Sequence, residues 1–380
     1  MTKTVSIEGT CASRFARVRD AFAANFSQHG EVGAAFSVVL DGEVVADLWG
    51  GSADKAGTSP WRRETLTNVW STTKGVAALC FAMLVDRGKC RYEDPVARYW
   101  PEFAANGKER VTIAQMISHQ AGLCGFAEPV TMQIIYDQPR AEALLAAQAP
   151  FWTPGEQSGY HAVTVGILNN ALFRRIEGRT LAAFVREEIS VPYGLDIFVG
   201  LPDAEAHRAS EIIAPPTLSS TDANPVPSRA QQAALANPVL DPLWSNTRPW
   251  RLSPIPSVNG FANASSLAQL YGAMARGGEL KGRRLLGPAA IATASTQLIE
   301  GPDAVLGLHA RWAAGFLLNV HDIYGDRPTA YGHSGWGGSF AFADPDRRLG
   351  VSYVMNAMGH NLVGDPRGMA LIKATLDSCA

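Results

Sequence analysis

Strand patterns at both ends of the chain enclose a middle that reads as helix, and this arrangement restricts the possible folds more than any other feature. Near the N-terminus, AAFSVVLDGEVVADLWGG (34–51) is two apolar runs joined at Asp41-Gly42, a dipeptide that favours the tight turn of a β-hairpin. Near the C-terminus, GGSFAFADPDRRLGVSYVMNAM (337–358) places Phe340 and Phe342 on one face, turns at Asp344-Pro345-Asp346 and resumes with Val351, Tyr353 and Met355. Helical periods flank these strands, with Phe15, Val18, Phe22 and Phe26 on one face before the first hairpin and a last helix over roughly residues 366–378. In between, VTIAQMISHQAGL (111–123), HAVTVGILNNALFRRIEG (161–178) and NASSLAQLYGAMARGG (263–278) each read as a helix ending at or near a glycine.

Terminal strands around a helical insertion predict an α+β fold, an antiparallel sheet flanked by helices with a mostly helical subdomain inserted. The expected division is a sheet region from 1–70 and 295–380 and a helical region with active-site loops over 71–294, together one catalytic domain. From Pro215 to Pro256 the chain is rich in proline and aromatic residues, including Trp244 and Trp250, which predicts long ordered loops of the kind that wall binding sites.

Charge and cysteine usage exclude several classes of function. Lysine plus arginine number 33 against 35 acidic residues, so no field of one sign marks a nucleic-acid or anionic-membrane partner, and a small neutral molecule is expected. Five cysteines (Cys11, Cys80, Cys90, Cys124, Cys379) are widely spaced without CxxC or a Cys/His set, which predicts free thiols, no metal and no cofactor. No stretch approaches a membrane span and the first residues lack the apolar run of a signal peptide, so a cytoplasmic protein is expected. The sequence does not indicate an oligomeric state.

One lysine is out of place. In NVWSTTKGVAALCFAML (68–84) the apolar positions Val76, Leu79, Cys80, Met83 and Leu84 are joined by Ala77, Ala78, Phe81 and Ala82, so the helix has no polar face. Its first turn nevertheless carries Ser71 and Lys74, although a buried ammonium is costly unless it is paired or gives up its proton. The SxxK spacing alone proves little: 24 serines and seven lysines give a chance expectation of roughly 0.4 such pairs. Ser52 and Lys55 are a second copy, in a polar glycine-flanked loop where the lysine faces water. Ser71 and Lys74, one turn apart at a buried helix N-terminus, can share a face. The positive end of the helix and desolvation both favour a neutral amine and a negative Ser71 oxygen, hence a base and a nucleophile. The alternative is a serine N-cap with a lysine that snorkels to solvent.

Two further stretches weigh against that alternative. Ser71-Thr72-Thr73-Lys74, then Pro154-Gly155 leading to Tyr160, then His333-Ser334-Gly335 with Trp336-Gly337-Gly338 resemble the three motifs of the serine β-lactamase and penicillin-binding-protein superfamily. Histidine in place of the usual lysine in the third motif, with the Trp-Gly-Gly run, resembles the family VIII carboxylesterases, the esterase branch most similar to class C β-lactamases. ISHQAGL (117–123) and NGFANASSLAQLYGAMARGG (259–278) extend the likeness over most of the chain.

The resemblance implies that Ser71 is the nucleophile and that Lys74 with Tyr160 moves its proton. It implies that the backbone N–H groups of Ser71 and Trp336 form an oxyanion hole, and that His333, Ser334, Gly335 and Trp336 form an edge strand that binds substrate. Two departures point from anionic β-lactams to neutral esters. Ala162 stands where β-lactamases have an asparagine that binds the lactam side-chain amide, and His333 replaces a fixed cation by a ring that is mostly neutral near pH 7. The expected activity is therefore hydrolysis of small neutral carboxylic esters through an acyl-enzyme. Acyl transfer from the same intermediate, a β-lactamase or D-amino-peptidase activity, and a penicillin-recognising sensor or inactive scaffold are the alternatives. Gly332-His333-Ser334-Gly335-Trp336 also resembles the GxSxG elbow of α/β-hydrolases, with His360 as a base, but the chain continues from it as a strand instead of a helix.

Overall fold

The structure, a computed structural model, describes residues 5–215 and 226–379. Strand β1 (Ile7–Cys11) leads into helix α1 (Ala16–Gln28), followed by β2 (Gly33–Leu40) and β3 (Glu43–Gly51). The β2–β3 hairpin closes through Asp41 and Gly42, both at positive φ (50° and 89°), the conformation that an Asp-Gly pair tolerates in a two-residue loop. A short strand β4 (Thr67–Asn68) precedes the buried helix α2 (Thr73–Asp86), and helix α3 (Thr164–Glu177) ends at Gly178 in the left-handed region. Then come β5 (Ile197–Val199), β6 (Gly260–Ala262), helix α4 (Ala264–Ala275) and a small hairpin of β7 (Glu279–Leu280) and β8 (Arg283–Arg284). The last strands are β9 (Ile299–Pro302), β10 (His309–Trp312), β11 (Leu317–Leu318), β12 (Tyr331–Ser334), β13 (Phe340–Asp344) and β14 (Leu349–Met355), before helix α5 (Pro366–Cys379).

The two ends of the chain form one antiparallel sheet in the order β1-β3-β2-β14-β13-β12-β11-β10-β9, so the seam between them is the pairing of β2 with β14, Val38 opposite Val351. All seven residues of β14 and seven of eight in β2 are buried, because helices cover both faces and the half-polar alternation of an open sheet is not needed. Helix α4 packs against β2 and β14 at backbone distance: a Cβ on Gly350 would lie 2.2 Å from the amide nitrogen of Gly272. Strands β4, β6 and β5 make a separate three-stranded sheet beside α2, which sets the residues just before the helix. The fold is the expected α+β arrangement.

Three expectations change. In VTIAQMISHQAGL only Ile113–Ile117 is helical, started by a Thr112–Gln115 capping box. At His119 the backbone turns to φ +66°, and the His119 carbonyl and ring then accept the N–H groups of Gly159 and His161; tertiary hydrogen bonds override the helical period. The 215–256 stretch holds short helices at Arg229–Leu235, Pro242–Asn246 and Arg248–Leu252 instead of loops alone, while its residues 216–225 lie outside the described ones. The strand carrying His333 is interior, not an edge: β12 pairs with β13 along its length and with β11 at Tyr331 and Gly332. Because β11 has two residues, His333 and Ser334 run on past it with one side unpaired, and Gly335 and Trp336 belong to the turn that follows.

Candidate active site

Ser71 is delivered by a kink followed by a tight turn. Trp70 sits at φ +49°, a conformation that is costly for a bulky residue and persists only where packing fixes it. Its ring is held between Trp250 and Trp336, with centroids 5.4 and 5.0 Å away. The next N–H groups bond three residues back, Thr73 to Trp70, Lys74 to Ser71 and Gly75 to Thr72, so α2 opens with a 3₁₀ turn. In that geometry side chains three apart eclipse, and Lys74 Nζ lies 3.0 Å from Ser71 Oγ.

Lys74 is 3% exposed, and burial holds its amine well below the ordinary lysine range. Besides Ser71 Oγ it meets two backbone carbonyls, donating to Ala162 O (2.8 Å) and Ser257 O (3.0 Å). As an ammonium it satisfies all three acceptors. Without its proton, the two carbonyls keep the two remaining N–H groups and the lone pair is left facing the Ser71 hydroxyl. The snorkelling alternative is excluded by this burial.

Tyr160 arrives from the far side of the motif turn. Its hydroxyl donates to Ser71 Oγ at 2.7 Å, and Lys74 Nζ lies 4.6 Å from the ring centroid. The phenol stacks on Trp312 at an interplanar angle of 12° and meets the edge of His119. Burial first, and the Asp303 carboxylate beside it, hold the phenol above its ordinary value, so Tyr160 is a neutral donor in the resting site.

The histidines around this cluster are neutral as well. His161 donates through Nδ1 to Gly159 O and accepts Leu123 N–H at Nε2. His333 donates through Nδ1 to its neighbour's carbonyl, and its Nε2 is buried without a partner among the described residues. Burial moves their values down to about 4 and about 3, with the Lys74 charge adding to it, and also moves His119 well down. Of the residues that the three motifs bring together, none therefore carries a fixed positive charge.

The third motif divides between two faces of its strand. His333 packs over Gly75 beside Lys74 and Tyr160, whereas Ser334, one residue on, meets Tyr324 Oη at 3.1 Å. The Ser334 hydroxyl has no histidine among its described partners and the residue stands in an antiparallel sheet, which removes the nucleophile-elbow alternative. Gly335 to Ser339 then lies against the residues before α2: Ser339 Oγ donates to Val69 O (2.9 Å) and meets Thr72 Oγ1 (3.1 Å). Gly335 O accepts Gly338 N–H, and since C=O and N–H of a trans peptide point oppositely, the Trp336 N–H is aimed out of the turn. Among the described residues neither that N–H nor the N–H of Ser71 has an acceptor.

Known proteins resemble this chain along nearly its whole length. The sequence pattern of the family described as Beta-lactamase matches residues 18–374. The chain belongs to the β-lactamase family. Within it, the esterase/beta-lactamase LipL of Mycobacterium tuberculosis is 36% identical over 377 residues, covering 93% of this chain and 84% of that protein. A crystal structure of a family VIII carboxylesterase superposes with a TM-score of 0.93 at 45% identity, over 98% of this chain and 100% of that one. A penicillin-binding protein homologue from Caulobacter crescentus gives 0.92 at 46% identity, with the same coverage. Branches of this family thus differ in the ester or lactam they are named for, while the fold is shared.

Sequence reading brought Ser71, Lys74, Tyr160, His333 and Trp336 to one place but passed over four other groups. The carbonyls of Ala162 and Ser257 fix Lys74, and a backbone acceptor leaves no trace in residue type. The one indirect sign is Gly166, where a Cβ would come within 2.4 Å of Ser257 Oγ. Trp312 and Asp303, which hold Tyr160, lie in no motif.

Proposed function

We propose that this protein is a serine carboxylesterase acting on small neutral carboxylic esters, with Ser71 as nucleophile. The hydrogen-bonded chain from Tyr160 to Ser71 to Lys74, in a site where no motif residue is a fixed cation, carries this reading. Ser71 Oγ attacks the ester carbonyl as its proton passes to the Lys74 lone pair. The N–H groups of Ser71 and Trp336 receive the oxyanion, and the substrate lies along Ser334–Trp336 with neutral His333 behind it. Collapse breaks the C–O bond to the alcohol, which leaves with the proton returned from Lys74 through Tyr160. Water enters, gives its proton to the same pair and releases the acid, restoring the Ser71 hydroxyl. All groups needed for these steps belong to the chain, and no metal-binding cluster occurs among the described residues.

A β-lactam needs a contact for its carboxylate and one for its side-chain amide. Ala162 and neutral His333 supply neither, and a hydrogen bond to a charged group contributes roughly 1.5–3 kcal/mol. Short p-nitrophenyl esters are therefore expected to have kcat/KM at least about 10²-fold above benzylpenicillin or nitrocefin. Steady-state kinetics on both substrate classes test this, and comparable values for the two would make the protein a β-lactamase. Adding an alcohol to the ester assay separates hydrolysis from acyl transfer. No helix among the described residues is long and apolar enough to cross a membrane, and five free thiols fit the reducing cytoplasm that we take as its compartment.

A further inference from the structure

Asp303 closes the tip of the β9–β10 hairpin, 143 residues from Tyr160, and is 1% exposed. Its two carboxylate oxygens take four donors. Oδ1 accepts the N–H groups of Val305 (3.0 Å), Leu306 (3.0 Å) and Tyr160 (2.8 Å), and Oδ2 accepts the indole N–H of Trp312 (3.3 Å). Two of these bonds cap the hairpin's own turn. The other two leave it, and they go to the two residues whose rings stack on each other at 12°. One carboxylate thus ties the backbone that carries the phenol to the indole that sets its plane.

We propose that Asp303 is a positioning residue that fixes the Tyr160 hydroxyl at its 2.7 Å contact with Ser71 Oγ. This rests on Tyr160 being the proton relay. A full carboxylate is required because the four donors arrive on both oxygens. Asparagine has one acceptor oxygen, so it must turn an NH₂ group either on the Trp312 N–H or on the three backbone N–H groups. The hairpin itself should stay docked without the charge, since Ala304 N–H separately bonds Ser158 O at 2.8 Å. Misplacement of a reacting group by a fraction of an ångström to 1 Å lowers rate steeply, so the effect should fall on kcat.

Asp303→Asn is tested for p-nitrophenyl butyrate turnover, alone and combined with Tyr160→Phe, with thermal unfolding of each variant. The expected result is a kcat loss of roughly 10- to 10²-fold with KM changed by less than about threefold. In the Tyr160→Phe background the same substitution should cost less than about twofold, because the hydroxyl it positions is gone. Should Asp303→Asn fail to fold, Trp312→Phe serves instead: it keeps an aromatic ring to stack and removes the N–H together with part of the indole, and its kcat loss should likewise vanish in Tyr160→Phe. Losses that multiply undiminished in the double variant, or parental kcat in the single one, would overturn the positioning role while leaving the mechanism in place. Parental kcat in Tyr160→Phe itself would remove the relay and this inference with it.

Discussion

Lys74 has three oxygen neighbours for its nitrogen and no carboxylate pairs with it among the described residues, so burial alone decides its charge. That fixes the pH dependence of the reaction. The base must be unprotonated in the free enzyme, so kcat/KM should rise with pH along a limb whose midpoint lies well below 10.5, the ordinary value for lysine. The neighbouring imidazoles are already neutral at pH 5 and above, at about 3 for His333 and about 4 for His161. His333→Gln should therefore leave the midpoint within a few tenths of a unit, whereas Lys74→Ala should abolish the limb and lower kcat by roughly 10² or more. A limb that vanishes in His333→Gln and persists in Lys74→Ala would make the imidazole the titrating base.

At the scale of the element, the turn from Gly335 to Ser339 and the 3₁₀ entry to α2 hold each other. A Cβ at Gly335 would lie 2.3 Å from both Val69 O and Ser339 Oγ, so no side chain fits between the turn and the residue before the Trp70 kink. Gly335→Ala should displace the Trp336 N–H, with kcat down by roughly 10²–10³ as for loss of an oxyanion donor, while circular dichroism shows a folded protein. Near-parental kcat would place the oxyanion elsewhere. This junction also shows what was legible beforehand. The Ser71–Lys74 spacing, the Asp41-Gly42 hairpin and the strand run of β13 and β14 depend on local pattern, and sequence carries local pattern. The interior place of β12 depends on a two-residue strand, β11, too short for any periodicity. The helix expected through His119 gave way to hydrogen bonds with residues about forty positions away. The carbonyls of Ala162 and Ser257 are backbone groups, which residue identity does not encode, and the Asp303 carboxylate reaches the Tyr160 N–H across 143 residues, beyond any local pattern.

For the whole molecule, the seam between the chain's two ends carries a buried charge cluster. Arg367 on α5 donates to Glu31 Oε1 (3.1 Å), to both oxygens of Asp365 and to Gly337 O, and the Tyr353 hydroxyl bonds Glu31 Oε2. Burial raises Glu31 from 4.5 to about 7, with Arg367 and Tyr353 pulling the other way. The folded state thus binds a proton that the unfolded state releases between those values. Its contribution to stability is full below pH 4.5 and is lost as pH rises through about 7. Glu31→Gln should remove that dependence, so the difference in Tm between variant and parent should shift by a few degrees in the variant's favour across the interval; a difference that stays flat would mean that Glu31 is ionised throughout. The chemistry itself is tested most directly by labelling the intact protein with a fluorophosphonate and mapping the adduct by mass spectrometry. One adduct at Ser71, absent from Ser71→Ala together with ester turnover and retained in Ser334→Ala, is the expected result. An adduct on Ser334, or turnover that survives Ser71→Ala, would contradict it.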